Sequence, residues 1–391
     1  MPALRTDSPR TTLTVVIATV FVDIVGFGMI LPILPGQADR LGSSPAAIGV
    51  LVASYSAIQF LLAPLWGRAS DRFGRRPVLL FGLAGSALSY VVFALAGSFE
   101  VLLLSRLLDG GSGATVNVAQ AYLADESPAE ARARAMGKVG AAVGMGFIVG
   151  PLLGGITASQ GAAAVGWVAA AITFANLVVA WRILPESARR EHHDPIAPLV
   201  INPSRIAVPL GVLFLATLAF SVMYVVFPLW GEQTLGASRS TVGYWFALIG
   251  FVTAVVQGGF LGRTVTWLGE HGSARLGTAL LAVGLLAVPY AGLRGGAALY
   301  VVLAVLGAGY GLAGPAMLGL VSRLTGAARQ GRILGVAQSA TSLARIVGPV
   351  VAGVVMEAGG AGAAFGTSAA VAGVGMLMAL LIGARQLIPA R

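Results

Sequence analysis

Residues 61–97 read LLAPLWGRASDRFGRRPVLLFGLAGSALSYVVFALAG. Two apolar segments flank one short basic turn. Pro77 to Gly97 contains no charged residue, and it is long enough to cross the hydrocarbon core of a bilayer as a helix. The turn itself sets Asp71 among Arg68, Arg72, Arg75 and Arg76. Gly74 suits a positive φ, and Pro77 suits the first turn of a helix. Apolar run, basic turn and apolar run together describe two membrane-spanning helices joined on the cytoplasmic side.

The same alternation runs the length of the chain. Of 391 residues, 57% are hydrophobic and 10% charged, where a soluble domain carries about a quarter charged residues. Thr11 to Leu34 holds one charge, Asp23. The 54 glycines sit largely inside apolar runs, where they let helices approach closely. The pattern predicts helices over 11–35, 46–69, 77–97, 100–123, 134–158, 162–184, 205–231, 241–266, 274–293, 296–321, 331–357 and 362–384. Only helices satisfy every backbone group in lipid when no strand pattern is present.

Sorting the 25 lysines and arginines by side leaves three, Arg40, Arg239 and Arg294, on one face of the membrane. Arg106 and Arg345 fall inside helices, and all the others fall on the opposite face or at the termini. The positive-inside rule therefore puts both termini in the cytoplasm, for a multi-pass protein of the cell (inner) membrane. It also accounts for the net charge of +10 with no nucleic-acid partner. Arg5 and Arg10 precede an apolar run too long for a cleaved signal, which reads instead as the first span. The chain has no cysteine, so no disulfide or thiolate metal site is expected. His192, His193 and His271 fall in predicted loops, against a buried metal centre. No Ser/His/Asp set lies within the helices, so no enzyme and no cofactor is expected.

A shift of 198 residues superposes the chain on itself. Ile148-Val149-Gly150-Pro151 falls on Ile346-Val347-Gly348-Pro349, Gly111 and Gly113 on Gly309 and Gly311, and Gln59 on Gln257. With three residues fewer, Gly67-Arg68…Gly74 falls on Gly262-Arg263…Gly269. A duplicated six-helix unit explains the shared order. The expected fold is an all-α membrane protein: twelve transmembrane helices in two pseudo-symmetric six-helix bundles, 1–184 and 205–391. The polar stretch 185–204 reads as the cytoplasmic linker. Transporters use such repeats with the substrate site near the midplane.

The turn Gly67-Arg68-Ala69-Ser70-Asp71-Arg72-Phe73-Gly74-Arg75-Arg76-Pro77 resembles the signature loop of the major facilitator superfamily, nearly residue for residue. Gly144-Met145-Gly146-Phe147-Ile148-Val149-Gly150-Pro151-Leu152-Leu153-Gly154-Gly155 resembles the glycine-proline motif of that superfamily's proton-coupled exporters. Arg106-Leu107-Leu108-Asp109-Gly110-Gly111-Ser112-Gly113 resembles their arginine-glycine motif. Asp23-Ile24-Val25-Gly26-Phe27-Gly28 with Leu31-Pro32 is similar to the first helix of the tetracycline/proton antiporters and their multidrug relatives. The resemblance implies that Gly67, Asp71, Arg72, Gly74, Arg75 and Arg76 form a conformational latch. In it Asp71 would face the start of the eleventh helix near Gln330-Gly331, with Asp125, Arg132 and Arg134 in the same charge network. It implies an antiporter role for Gly146, Gly150, Pro151 and Gly154. The plain alternatives are a solvated basic loop and a closely packed, kinked helix.

Four charges lie well inside predicted helices: Asp23, Arg106, Asp109 and Arg345. Each costs about 2.5–3.5 kcal/mol at a helix centre, so such residues face a cavity or a partner and mark ion paths. Arg106 and Asp109 share a helix face at i, i+3, and Gly113, Asn117 and Gln120 continue that stripe. In the superfamily the first, fourth, seventh and tenth helices line the cavity, which would bring Asp23, Arg106 and Asp109 together. A proton carrier needs a carboxylate whose surroundings change between states. Asp23 is the first candidate, Asp109 the second, and a static Arg106–Asp109 pair is the structural reading of the latter. Arg345 has no acid on its own helix within reach. Gln338, helix-end carbonyls or a residue of the other half are its candidate partners.

Candidate substrate contacts are Phe27, Gln59, Asn117, Gln120, Tyr224, Phe227, Gln257, Tyr310 and Gln338, with Phe220, Met223 and Met317 as further cavity residues. Aromatic and methionine side chains suit a lipophilic, variable ligand, though they equally serve packing. The chain departs from the tetracycline exporters at several places. Segments 77–97 and 274–293 carry no acid, Thr253 stands where some of them have His, and Thr266 stands where the repeat would place an Asp. The expected function is therefore drug:proton antiport of small amphipathic compounds by a monomer in the lipid bilayer. The alternatives are export of a sugar, metabolite or lipid, and a non-transporting receptor.

Overall fold

A computed structural model describes residues 9–113, 115–126, 129–187, 203–324 and 330–386. The helices are α1 (Pro9–Ile30), α2 (Leu34–Arg40), α3 (Pro45–Phe73), α4 (Arg75–Ala94), α5 (Phe99–Ser112), α6 (Thr115–Glu126), α7 (Ala129–Ala158) and α8 (Ala162–Ile183). They continue as α9 (Pro203–Phe220), α10 (Val222–Leu235), α11 (Arg239–Val255), a π-helical turn (Val256–Phe260), α12 (Leu261–Arg294), α13 (Ala297–Arg323) and α14 (Gln330–Gln386).

Among the described residues, nine stretches are long and apolar enough to cross a membrane. Two of them, 239–294 and 333–381, hold 56 and 49 residues, enough for two crossings each at about 20 residues per span. Each is broken by a glycine in non-helical conformation, Gly269 and Gly360. The crossing formed by α5 and α6 is the twelfth. It is too interrupted to count as one long helix, because Gly113 leaves helical geometry at φ −68°, ψ 43°.

The repeat reappears in the backbone. Gly74 (φ 103°) and Gly269 (φ 70°) close equivalent turns, as do Gly161 (φ 104°) and Gly360 (φ 77°). Positive φ is open to glycine and strained for other residues. His271 lies in the helical turn after Gly269 rather than in a loop. His192 and His193 lie outside the described residues.

Two compact units divide the chain. The first comprises Met1–Gly42, Ser54–Pro195 and Ser238–Ala247, and the second Ser43–Ala53, Ile196–Ala237 and Leu248–Arg391. Segments 43–53 and 238–247 thus group away from the halves in which sequence order places them. In the first unit α1 packs against α7 and α8, and α4 against α5 and α8. In the second, α9 and α10 pack on α14, and α12 on α13 and α14.

The α1–α7 contact shows why α7 is glycine-rich. A Cβ on Gly146 would lie 2.6 Å from Ile24 Cγ2, and one on Gly150 would lie 2.8 Å from Gly28 Cα and Val25 O. One on Gly154 would lie 2.5 Å from Met29 O. Backbone therefore meets backbone along three turns, with Pro151 against Gly28.

Candidate functional site

Asp23 of α1 opens the candidate site in the first unit. The residue is partly exposed, yet its Oδ1 is buried and makes no hydrogen bond. Gly26, one turn on, leaves room for Tyr90. A side chain there would meet the Tyr90 ring at 2.8 Å and Thr173 Oγ1 at 3.0 Å. From α5 come Arg106 and Asp109, each 2% exposed, joined by Nη1–Oδ2 at 3.3 Å. Arg106 Nε donates to Ser105 Oγ at 3.4 Å, and its guanidinium lies over the Phe93 ring at 5.8 Å. Its Nη2 is buried and finds no acceptor.

The floor of the cluster comes from α4. Ser86, Ser89, Tyr90 and Phe93 are buried at helical spacing. Ser86 lies beside both carboxylates, Ser89 Oγ donates to Ser86 O at 2.8 Å, and the charge of Asp109 reaches Asp23. The structure thus brings Asp23, Arg106 and Asp109 together around one serine. Asp109 pairs with the guanidinium, which leaves Asp23 as the carboxylate of the cluster without a cation of its own. The α4 residues carry no charge, and scanning for charges passes over them. Their i, i+3, i+4 spacing in an apolar run was the available signal.

Asn117 and Gln120 do not continue this stripe. They are exposed, because the chain leaves helical geometry at Gly113 before α6 begins. Asn117 lines a recess of about 60 Å³ with Trp66, Gly67, Ser70 and Arg75. Carbonyls freed at the break are satisfied from α3. Gln59 Nε2 donates to Gly113 O at 2.9 Å, and Trp66 Nε1 to Gly111 O at 2.7 Å. Gln59 therefore has a structural partner. Its repeat mate Gln257 lies exposed in the π-helical turn. Phe27 packs on Tyr55 (4.8 Å) and edge-on to Phe147 (6.1 Å).

The basic turn is organised by two acids. Arg75 Nη1 meets Asp71 Oδ1 at 2.6 Å, and its Nε meets Asp125 Oδ2 at 2.9 Å. Glu186 Oε1 accepts from the backbone N–H groups of Arg75 (2.8 Å) and Arg76 (3.1 Å), where the α4 dipole favours an anion. A Cβ on Gly74 would collide with that carboxyl group at 2.8 Å. Arg76 Nη2 donates to Trp181 O at 2.5 Å, and Arg72 stacks over Phe73 at 5.3 Å. Gly67 has open space where a side chain would go. Tyr122 donates to Pro185 O at 2.8 Å. The sequence places Pro185–Ser187 in the linker, yet they are pinned to the first unit. Asp71 is 68% exposed. Of its expected network, Asp125 is reached through Arg75, while the surroundings of Gln330, Gly331 and Arg132 lie outside the described residues.

In the second unit the α9–α10 crossing breaks at Ser221. The Ser221 N–H is shared between Thr217 O and Leu218 O, each at 3.2 Å. Phe220 beside the break stacks on Tyr310 at 4.0 Å and meets Tyr224 edge-on at 5.5 Å. Phe227, Met223 and Met317 are fully buried, with Phe227 beside Trp230. That places them in packing. Gln338 is exposed, and Arg345 Nη2 donates to Ser342 Oγ at 3.3 Å rather than to Gln338.

The sequence pattern of the Major Facilitator Superfamily matches residues 16–349. The chain belongs to that superfamily. Tetracycline resistance protein class C of Escherichia coli is 32% identical over 352 residues, covering 87% of this chain and 88% of that protein. The class E protein of the same organism is 34% identical, covering 87% and 86%. Multidrug resistance protein 2 of Bacillus subtilis is 28% identical, covering 90% of each. Among solved structures, the human organic anion transporter MFSD10 (TETRAN) superposes with a TM-score of 0.71 at 26% identity, covering 95% of this chain and 99% of that one. A bacterial homologue of the human lysosomal transporter Spinster, inward-facing and occupied, reaches 0.79 at 17% identity, covering 97% and 99%. The latter likeness concerns the fold alone.

This facilitator is thus a multi-pass membrane transporter for small molecules, and the all-α fold expected from its sequence is the fold observed. Its charged cluster lies where the first and fourth crossings of the superfamily fold meet.

Proposed function

We propose that this facilitator exports small amphipathic, drug-like compounds in exchange for protons, working as a monomer in the cell membrane with both termini cytoplasmic. Residues 1–184 and 205–391 act as two six-helix halves joined by 185–204, alternating access to a midplane site. The observation that carries this reading is the charged cluster of the first unit, in which Arg106 pairs with Asp109 while Asp23 beside them keeps an unpaired oxygen. The tetracycline and multidrug resistance relatives support export of drug-like cargo.

Asp109 is held by Arg106, so Asp23 is the carboxylate left to bind and release a proton. Its unpaired Oδ1 is costly while ionised and cheap when protonated. Cargo contacts are assigned to Phe27, Asn117, Gln120, Tyr224, Gln257, Tyr310 and Gln338. The Gly67–Arg76 turn acts as a latch, through Arg75 bridging Asp71 and Asp125. Gly146, Gly150, Pro151 and Gly154 form the close contact on which α1 moves with α7.

The test uses purified protein in liposomes with an imposed pH gradient. Wild type should move protons only when cargo is added, and Asp23→Asn should lose that coupling while remaining folded and inserted. Coupled export by Asp23→Asn at the wild-type rate would refute the assignment.

A further inference from the structure

Among the described residues, Arg345 of the second unit has no acidic partner. Residues 201–391 contain three acids, Glu232, Glu270 and Glu357. Glu270 pairs with Arg323 at 2.9 Å. Glu357 accepts from the Ala46 N–H at 3.0 Å, and it stands twelve residues beyond Arg345, roughly 18 Å along the helix at 1.5 Å per residue. Glu232 stands eight residues beyond Tyr224, roughly 12 Å along its own helix. None of the ion pairs among the described residues involves Arg345.

The direction of Arg345 is set by its helix. Leu343, Val347, Val351 and Val354 form an exposed apolar stripe on α14, the face suited to lipid. At about 100° per residue, Arg345 lies on the opposite side from Leu343 and Val347. It shares its side with Ser342 and with Gly348, one turn on, where a Cβ would run into Ser221. Arg345 therefore sits one turn from the place where α14 meets the Ser221 break. Phe220 and Tyr224 flank that break, and Tyr310 stacks on Phe220. The guanidinium is within electrostatic reach of both the Tyr224 and Tyr310 hydroxyls. It is partly exposed, unlike Arg106.

A charge inside a spanning helix persists where a cavity or a partner receives it. Ser342 Oγ accepts from one guanidinium nitrogen, and the other guanidinium N–H groups and the two phenols can donate. An acceptor-only group such as a carboxylate or sulfonate completes that set, and the guanidinium fork matches it. The Phe220–Tyr310 stack offers a flat apolar surface for the rest of such a molecule.

We infer that Arg345, with Tyr224, Tyr310 and Phe220, is the cargo-recognition site of the second unit, and that its ligand is an amphipathic aromatic anion. This rests on the export reading above but concerns which charge the cargo bears. Arg345 contacts the ligand, and the proton cluster of the first unit has a separate task.

Binding to purified full-length protein tests it with three naphthalene probes matched in size: a 2-sulfonate, the neutral 2-sulfonamide and a 2-trimethylammonium salt. Wild type should bind the sulfonate at least about tenfold more tightly than the other two, as expected for one charge-assisted contact. Arg345→Gln should erase that preference, and Arg345→Lys should keep part of it. Tyr310→Phe should weaken sulfonate binding, and it provides the measurement if Arg345→Gln does not fold. A wild type that binds none of the three, or binds the cation or amide as tightly as the sulfonate, overturns the inference. So does a preference that survives Arg345→Gln. Equilibrium binding involves no proton gradient, so loss of coupling in the liposome assay refutes the antiport reading while leaving this result intact.

Discussion

Replacing Asp109 by Asn should destabilise the protein far more than a one-atom change suggests. Asp109 and Arg106 are each about as buried as a core leucine, with side chains 3% exposed and 3.3 Å apart. Removing one partner of a buried pair costs about 3–5 kcal/mol, because the other charge is left without compensation. Asn keeps the volume and one acceptor, so about 3 kcal/mol is expected for Asp109→Asn. Arg106→Gln should cost a similar amount, since it leaves Asp109 near Asp23 without its guanidinium partner. The double variant replaces an ion pair with a neutral one and should lose only about 2 kcal/mol in total, because neither partner is left as an uncompensated charge. The cycle therefore predicts a coupling of about 4 kcal/mol between the two sites. Reversible unfolding in mixed detergent micelles, followed by tryptophan fluorescence, measures all four species. Additive single effects, with coupling below about 0.5 kcal/mol, would show that the two groups do not compensate each other. Asp109 would then replace Asp23 as the carboxylate to test for proton exchange.

Gly150→Ala should cost about 1–3 kcal/mol by overpacking, since its Cβ would meet Gly28 Cα and Val25 O at 2.8 Å. Gly144→Ala, with open space around it, should be neutral in the same thermal-unfolding assay. Glu186→Gln should lose about 1 kcal/mol by weakening the cap on α4, read as a lowered midpoint in denaturant. Gly269→Ala should cost about 1–2 kcal/mol from its positive φ alone. Gly74→Ala should cost more, because Glu186 occupies the space as well, and the two variants compared side by side separate strain from collision.

The twelve crossings were legible because lipid leaves so few solutions: an apolar run of the right length is a helix. The interruptions were not. Gly113 breaks a helix inside apolar sequence, and the groups that make the break tolerable, Gln59 and Trp66 on α3, are remote in the chain. The Asp23, Arg106 and Asp109 cluster could be assembled from charges counted against an apolar background. Its serines and Tyr90 could not, because an uncharged hydroxyl in a helix bonds its own backbone as readily as a partner. Glu186 reads as one more linker charge until Gly74 is seen to bring the α4 amides up to it.

The glycines that close equivalent turns in the two halves have a bearing on ancestry. Gly74 and Gly269 hold the same backbone shape, yet the first turn carries Asp71 where the second carries Thr266, and the charges around them have diverged. Gly161 and Gly360 repeat the lesson at another turn. After a gene doubles, each copy is free to trade its side-chain chemistry, but a residue that lets the chain reverse its handedness has no ready substitute. The oldest record of the duplication is therefore kept by the residues with no side chain at all. Internal kinship in other helical membrane chains should be sought first among glycines that share a left-handed backbone, before any search for matching charges.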